Sequence, residues 1–176
     1  MNHTQKLCAV GLCTAIIAIL AQISIPLPFG VPFTLQTFAI ILTAIILGAR
    51  NGAIAATVYV LLGAIGLPIF HNFTAGFQVL LGPTGGFLFS FPLLAYLVGL
   101  GRERGGLGLQ LLLLSLGVVC NHIFGVLFFC IVTGGTLLAA LTACVLPFLP
   151  TTILQAILAY LLGSKIYKRM GVSNLI

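Results

Sequence analysis

Of the 176 residues, 61% are hydrophobic and only 5% are charged, and the mean hydropathy is +1.30. A water-soluble domain of this length needs a polar exterior that this composition does not provide, so we expect an integral membrane protein. The apolar segments lack the ten-residue alternation of a membrane barrel, which makes the predicted class all-α.

Six segments are predicted to be transmembrane helices, each of which needs about 20 apolar residues. In chain order they are residues 6–25, 33–49, 52–67, 87–101, 107–132 and 150–166. The short apolar stretch 136–146 is predicted to be an extra helix along the outer interface, before the last span. Residues 1–176 are expected to form a single membrane domain.

The basic residues orient these spans. With six spans and a cytoplasmic N-terminus, all of them fall on the cytoplasmic side, as the positive-inside rule requires. They are Lys6, Arg50, Arg102, Arg104, Lys165, Lys168 and Arg169. The outer connections 26–32, 68–86 and 133–149 carry no formal charge. Both termini are therefore predicted to be cytoplasmic, and topology rather than nucleic-acid binding explains the net charge of +6.

Polar residues collect in or beside the outer connections, among prolines and glycines. Irregular backbone at membrane depth is tolerated only where it is buried in protein or lines a cavity. Convergent polar groups on an apolar scaffold are what a small-molecule site requires. The alternative is a set of ordinary outer loops. The polar residues concerned are Gln36, His71, Asn72, Thr74, Gln78, Thr84, Thr151 and Thr152.

The sequence contains no recognisable energy source for transport. Its only acid, Glu103, lies in an inner connection, whereas secondary carriers usually place carboxylates within the membrane. The GxxxxGK[ST] pattern of a P-loop is absent. A partner is therefore expected to supply energy, and a self-sufficient secondary carrier is the competing class. Gly11 and Ala15 form a small-xxx-small pair that suits docking of a partner helix, although packing within the chain explains the pair equally well.

The residues offer little basis for catalysis. His122 lies inside the fifth predicted span, where a histidine is a candidate functional residue. A lone histidine without a nearby nucleophile, carboxylate or second ligand forms neither a triad nor a metal site. The five cysteines lie in apolar surroundings and suit packing in helices. No enzyme activity, metal or cofactor is predicted, and His122 either lines a pocket or packs in the core.

Three stretches occur in order: VPFTLQTFAIILTAIILG, VYVLLGAIGLPIF and LLGPTGGFL. Together they resemble the BioY family, the biotin-binding S components of energy-coupling factor (ECF) vitamin importers, over essentially the whole chain. The resemblance implies a multi-pass protein in the plasma membrane of a prokaryote-type cell that captures a vitamin from outside. It also implies an ECF membrane scaffold subunit and two ATPase subunits as partners.

The resemblance also implies a site at the outer end. Gly82, Thr84 and Gly85 would lead into the fourth helix, where glycines allow close backbone approach and free N–H groups can face an anion. The loop 69–81 would act as a lid. Family members commonly read Pro-Gly-Asp-x-x-Lys at the last helix, but here Thr152 replaces the Asp and the Lys position is Gln155.

These departures remove charge from the expected pocket, as does Thr74 where some members carry a lid arginine. Neutral groups still bind a ureido ring, at roughly half the strength of charge-assisted hydrogen bonds. Lipoate has the same pentanoate tail without that ring, so biotin and lipoate both stay open. The expected docking residues are Gly11 and Ala15. The expected binding residues are Gln36, His71, Asn72, Thr74, Gly82, Thr84, Gly85, His122, Thr151, Thr152 and Gln155.

Overall fold

The computed structural model describes residues 2–26 and 31–169, whose regular secondary structure is helical apart from two short strands. Part of the first predicted outer connection, 27–30, and the chain ends, residues 1 and 170–176, lie outside the described residues. The strands β1 (Ser24–Ile25) and β2 (Phe33–Thr34) pair antiparallel, and a 3₁₀ turn covers His71–Phe73. The helices are α1 His3–Ala21, α2 Gln36–Ala64, α3 Phe77–Leu80, α4 Gly85–Arg104, α5 Leu107–Thr133, α6 Leu137–Cys144 and α7 Leu149–Arg169.

Helix α2 is a hairpin, with arms 36–47 and 49–64. Gly48 interrupts it with φ 79° and ψ −177°, a conformation that essentially only glycine adopts. A straight helix would separate Gln36 from Tyr59 by about 35 Å. Instead, Gln36 Nε2 donates a hydrogen bond to Tyr59 Oη at 2.6 Å, so the chain reverses between them. The two spans predicted here correspond to the two arms.

Five of the described helices, α1, α2, α4, α5 and α7, are long and apolar enough to cross a membrane. Since α2 has two arms, these helices supply six apolar segments. The six-span topology and the cytoplasmic termini remain predictions. The first helix ends earlier than predicted, at Ala21 rather than residue 25, because the chain there enters β1. The extra helix before the last span is present as α6.

Helix α2 forms the centre of the bundle. It packs against α1, α4 and α7, and α4 in turn packs against α5. Most of the large, fully buried side chains come from the two arms of α2 and from α4, and they include Ile40, Tyr59 and Leu94. The outer faces of α1, α5 and α7 expose large apolar side chains such as Leu12 and Ile131, as lipid-facing surfaces do.

The Gly48 turn is held by the end of α4. The N–H of Ala49 donates a hydrogen bond to the Glu103 carboxylate at 2.7 Å. Gly99 packs directly against the backbone of Ala49, where a side chain would collide. The only acid of the chain therefore caps the start of the second arm, where a helix N-terminus favours negative charge.

All seven basic residues lie at this same end of the bundle. Helix α1 runs parallel to the second arm: Thr14 Oγ1 donates to the carbonyl of Ala55 at 3.3 Å, and beyond the ends of both elements Gln22 Nε2 donates to the carbonyl of Ile69 at 3.1 Å. This direction places Lys6 near the turn. The Arg102 guanidinium lies 4.1 Å from the centre of the Tyr167 ring, which brings the basic ends of α4 and α7 together. The opposite end is formed by the connections without formal charge.

We expect Gly48→Ala to destabilise the protein by about 1–3 kcal/mol, because its backbone conformation is strained for a residue with a side chain. The added Cβ would also meet the Glu103 carboxylate. Thermal unfolding of the purified chain in detergent measures the effect. Gly108→Ala is the matched control, since it lies in α5 with open space around it. Equal stability of the two variants would contradict this account of the turn.

Candidate functional site

A polar-lined cavity of about 60 Å³ lies at the end of the bundle without basic residues. It is enclosed by the start of α2 with the preceding strand, the first turns of α4, the middle of α5 and the first turns of α7. The connection between α2 and α3 contributes the side chain of His71 to the lining. The polar lining residues are Thr34, Gln36, Thr37, His71, Thr84, Asn121, His122, Thr151, Thr152 and Gln155.

The structure brings together seven of the eleven predicted binding residues. Those that line the cavity are Gln36, His71, Thr84, His122, Thr151, Thr152 and Gln155. Asn72, Thr74, Gly82 and Gly85 are not among its lining residues. Sequence reasoning missed three polar lining residues, Thr34, Thr37 and Asn121. The signal for Asn121 was a buried amide next to His122 in an apolar run. The binding roles of all these residues remain predictions.

Gln155 ties α7 to the start of α2. Its Oε1 accepts a hydrogen bond from the N–H of Phe38 at 3.1 Å, and its Nε2 donates to the carbonyl of Thr34 at 3.1 Å. The bond to Phe38 satisfies one of the free N–H groups at the start of a helix. A lysine, which is common at this position in the family that the sequence resembles, has no acceptor for that N–H. Glutamine therefore forms part of the cavity wall, and one of its two N–H groups has no hydrogen-bond partner among the described residues.

Gln36 links the α2 hairpin to the loop that follows it. Its Oε1 accepts from Thr34 Oγ1 at 3.0 Å, while its Nε2 donates to Tyr59 Oη. Tyr59 in turn donates a hydrogen bond to the carbonyl of Ile69, in the loop after α2, at 3.2 Å. Like Gln155, Gln36 is held in place mainly by the protein and has one N–H left.

His71 covers the cavity from the 3₁₀ turn. Its Nδ1 is buried and has no hydrogen-bond partner among the described residues. Burial lowers the pKa of His71 below its ordinary value of 6.5, because desolvation disfavours the charged imidazolium. The neighbouring Asn72 and Phe73 have φ of 53° and 55°, which is strained for a bulky residue such as Phe. The Phe73 N–H donates to Gln22 Oε1 at 2.8 Å, and this bond helps to hold the turn.

The Gly-Pro-Thr-Gly-Gly stretch turns the chain into α4 and brings α4 close to α5. The N–H of Gly85 donates to the carbonyl of Gly82 at 2.9 Å, so it is already occupied. A side chain at Gly86 would collide with the backbone of Phe124 in α5. The glycines thus serve the turn and the helix packing, and Thr84 is the member of the stretch that reaches the cavity.

A larger groove of about 700 Å³ separates α5 from α6 and α7. Its lining is apolar except for Ser115, His122 and Thr152, and the last two also line the cavity. Such a surface suits contact with lipid. Because polar groups converge in the smaller cavity, we take that cavity as the candidate site.

The BioY family model matches residues 1–172. The chain belongs to the BioY family. The biotin transporter BioY of Thermotoga maritima is 53% identical over 100 residues, which span 57% of this chain and 59% of that protein. The probable biotin transporter BioY of Pyrococcus horikoshii is 32% identical over 162 residues, or 92% of this chain and 96% of that protein. The biotin transporter BioY of Rhodobacter capsulatus is 33% identical over 89% of this chain and 90% of that protein.

A crystal structure of the S-component for biotin from an ECF-type ABC transporter has the same fold. The two chains superpose with a TM-score of 0.84 at 26% identity, over 96% of this chain and 95% of the other. This match confirms the predicted resemblance and the all-α class. BioY proteins are transporter components rather than enzymes. Together with the long apolar helices, the comparisons make the chain a multi-pass membrane protein.

We expect the stability of the ligand-free protein to fall as the pH drops below about 6.5. Since the folded-state pKa of His71 is lower than its ordinary value, the folded state binds fewer protons than the unfolded state. The contribution of His71 to stability is therefore complete above the unfolded pKa and is lost progressively as the pH falls from there through the lower folded-state pKa.

Thermal unfolding in detergent at a series of pH values checks this expectation. His71→Gln should flatten the dependence, whereas His3→Gln, at the exposed start of α1, should leave it unchanged. An identical pH dependence in the wild type and His71→Gln would show that His71 is not responsible.

Proposed function

We propose that this BioY protein is the biotin-binding S component of an ECF-type importer in the plasma membrane of a prokaryotic cell. The observation that carries the proposal is the polar-lined cavity, which lies within a fold that matches a solved biotin S component over almost the whole chain. The cavity combines aromatic walls such as Phe87 and Phe91 with neutral hydrogen-bonding groups. Such a lining suits a ligand with an apolar body and a polar head.

The proposed topology has six spans, both termini in the cytoplasm and the cavity at the outer end of the bundle. Its support is the placement of all seven basic residues at the end opposite the cavity. The positive-inside rule assigns that basic end to the cytoplasm. A site at the other end can take a scarce vitamin directly from the medium.

Ligand entry requires a wall of the site to move. The cavity is smaller than the roughly 300–1,000 Å³ of most small-molecule sites. The loop 69–81 is the proposed lid, because its His71 covers the cavity. Phe70 and Leu80 are buried and anchor the two ends of the loop. Between these anchors, the side-chain hydrogen bond that ties the loop to the described part of the bundle is the one from the Phe73 N–H to Gln22 Oε1.

Biotin is preferred to lipoate because the similar proteins are named as biotin transporters. The chain also keeps a neutral partner for the ureido ring where the family Asp is expected. Thr152 is buried and lines the cavity, and its hydroxyl makes no hydrogen bond to another described residue. That hydroxyl can either donate to the ureido oxygen or accept from a ureido N–H.

The purified chain is expected to bind biotin in a 1:1 ratio without ATP, and more tightly than lipoate, in calorimetric titrations on one preparation. Thr152→Val removes the hydroxyl while keeping the shape, and should weaken biotin roughly fivefold to tenfold. Lipoate affinity should stay nearly the same, since lipoate offers no ureido group. Thr142→Val on the exposed face of α6 is the matched control. Tighter binding of lipoate, or no biotin binding at micromolar concentration, would contradict the proposal.

The energy for uptake is proposed to come from an ECF scaffold subunit and two ATPase subunits that dock on α1. Gly11 and Ala15 are exposed on this helix, whereas Cys13 and Ile17 face the core. A Cβ added at Gly11 would have no described atom within 4 Å, so packing among the described residues does not account for this glycine. A small-xxx-small surface is what close approach of a partner helix uses.

Gly11→Leu should reduce co-purification with the scaffold and ATPase subunits and lower ATP-dependent biotin uptake. Biotin binding by the isolated chain should be unaffected, because Gly11 is exposed on the outer face of α1 and no residue of that helix lines the cavity. Gly108→Leu, at an exposed glycine of α5, is the matched control. Normal assembly of Gly11→Leu would exclude this docking surface, and uptake by the chain alone with an ion gradient would establish the carrier class.

A further inference from the structure

The amide of Asn121 is a buried polar group of the cavity to which nothing above gives a role. Asn121 lies in the middle of α5, lines the cavity and is 1% exposed. An amide inside a membrane-spanning helix is costly unless its hydrogen-bonding groups are paired. Its partners therefore indicate what the residue is for.

Hydrogen bonds to α4 fix the orientation of this amide. Asn121 Nδ2 donates to Ser90 Oγ at 2.7 Å and to the carbonyl of Phe87 at 3.1 Å. A carbonyl can only accept. Ser90 Oγ directs its own proton to the carbonyls of Gly86 and Phe87, both at 3.0 Å, so it also acts as an acceptor toward Asn121. The nitrogen must face α4, and the amide cannot flip without losing both bonds.

The amide oxygen is consequently left for the cavity. No described residue donates a hydrogen bond to Asn121 Oδ1. The adjacent His122 offers a second acceptor, because its Nδ1 lies 2.9 Å from the carbonyl of Val118 and must carry the ring proton. Its Nε2 then has a free lone pair. The His122 ring stands edge-on to Phe87, with 6.0 Å between the ring centres, which holds the imidazole in place.

We propose that Asn121 Oδ1 accepts a hydrogen bond from a ureido N–H of biotin, and that Ser90 is the positioning residue for this acceptor. The inference rests on the proposed function and deepens it. A ureido ring has two N–H donors, whereas the dithiolane ring of lipoate has none and would leave the buried oxygen unpaired. Sites built around a buried polar group reject analogues that cannot pair with it. Asn121 thus selects for a ligand with a ureido N–H through an uncharged acceptor, in a pocket that lacks the Asp and Lys common in the family.

The experiment measures affinity for biotin and for two mono-N-methylated biotins, each of which lacks one ureido N–H. Asn121→Leu should weaken biotin binding roughly tenfold to hundredfold. The wild type should discriminate against at least one methylated analogue, and this discrimination should shrink in the variant. Gln110→Leu is the matched control, since Gln110 is also an amide of α5 that bonds another helix, through Tyr160 at 3.0 Å. It lies about 16 Å along α5 from Asn121, so biotin affinity should not change.

Ser90→Ala provides a milder second variant in case Asn121→Leu does not fold. It removes the hydrogen bond between Ser90 and the Asn121 amide. Biotin affinity should fall several-fold, and the difference in affinity between biotin and its methylated analogues should become smaller. Unchanged biotin affinity in both variants would overturn the role of Asn121. So would a loss of affinity with discrimination between biotin and its methylated analogues fully retained, because that pattern indicates a purely structural amide. Failure of the wild type to bind biotin would instead overturn the proposed function and this inference with it.

Discussion

The reversal of α2 at Gly48 is the constraint on which the rest of the bundle depends. It places two apolar arms side by side at the centre, where α1, α4 and α7 pack around them. The turn needs a residue without a side chain, and its free N–H groups need an acceptor. Glu103 supplies that acceptor through Ala49, so the only carboxylate of the chain is used at the basic end. At the other end, the same reversal brings Gln36 to Tyr59 and creates one wall of the cavity.

The two ends of the bundle therefore differ in electrostatic character: one carries the charged side chains and the other is neutral. The Gly48 end gathers the formal charges, where Arg102 stacks on Tyr167 and the Glu103 carboxylate caps a helix. The cavity end is built from neutral groups whose hydrogen bonds are largely made within the protein. A charged pair in apolar surroundings must recover a large desolvation cost through its mutual attraction. Neutral amides avoid that cost, provided that each buried donor and acceptor finds a partner.

Hydropathy and charge predicted much of the fold, because long apolar segments and one-sided basic residues leave few arrangements. They did not predict how helices contact one another. The glycines at 82–86 suggested close approach to a ligand, but Gly86 is needed for the contact of α4 with α5. Gly85 uses its N–H in the turn. Such roles depend on pairs of residues far apart in the chain, which a single sequence does not reveal.

The candidate site was predictable where polar residues stand in the connections, as for His71 and Thr84. Asn121 was not predicted, although its neighbour His122 was, because a neutral amide within a span is not by itself a candidate functional group as a histidine is. Its proposed role rests on the hydrogen bond from its nitrogen to Ser90, which fixes the orientation of the amide. Gln155 differs from Asn121, since the sequence predicted it as a binding residue, but its amide also accepts a hydrogen bond from the start of α2, which the sequence did not predict.

A common physical feature connects these amides. The amides concerned are those of Gln36, Gln155 and Asn121. Each donates a hydrogen bond to the protein around the cavity, and each has a further N–H or oxygen lone pair without a partner among the described residues. Because the wall fixes their orientation, little side-chain entropy is lost when a ligand binds. A fixed dipole in surroundings of low dielectric is also stronger than a mobile one in water. Preorganised neutral groups can thus provide the selectivity that charged residues provide elsewhere, without placing an ion in an apolar bundle.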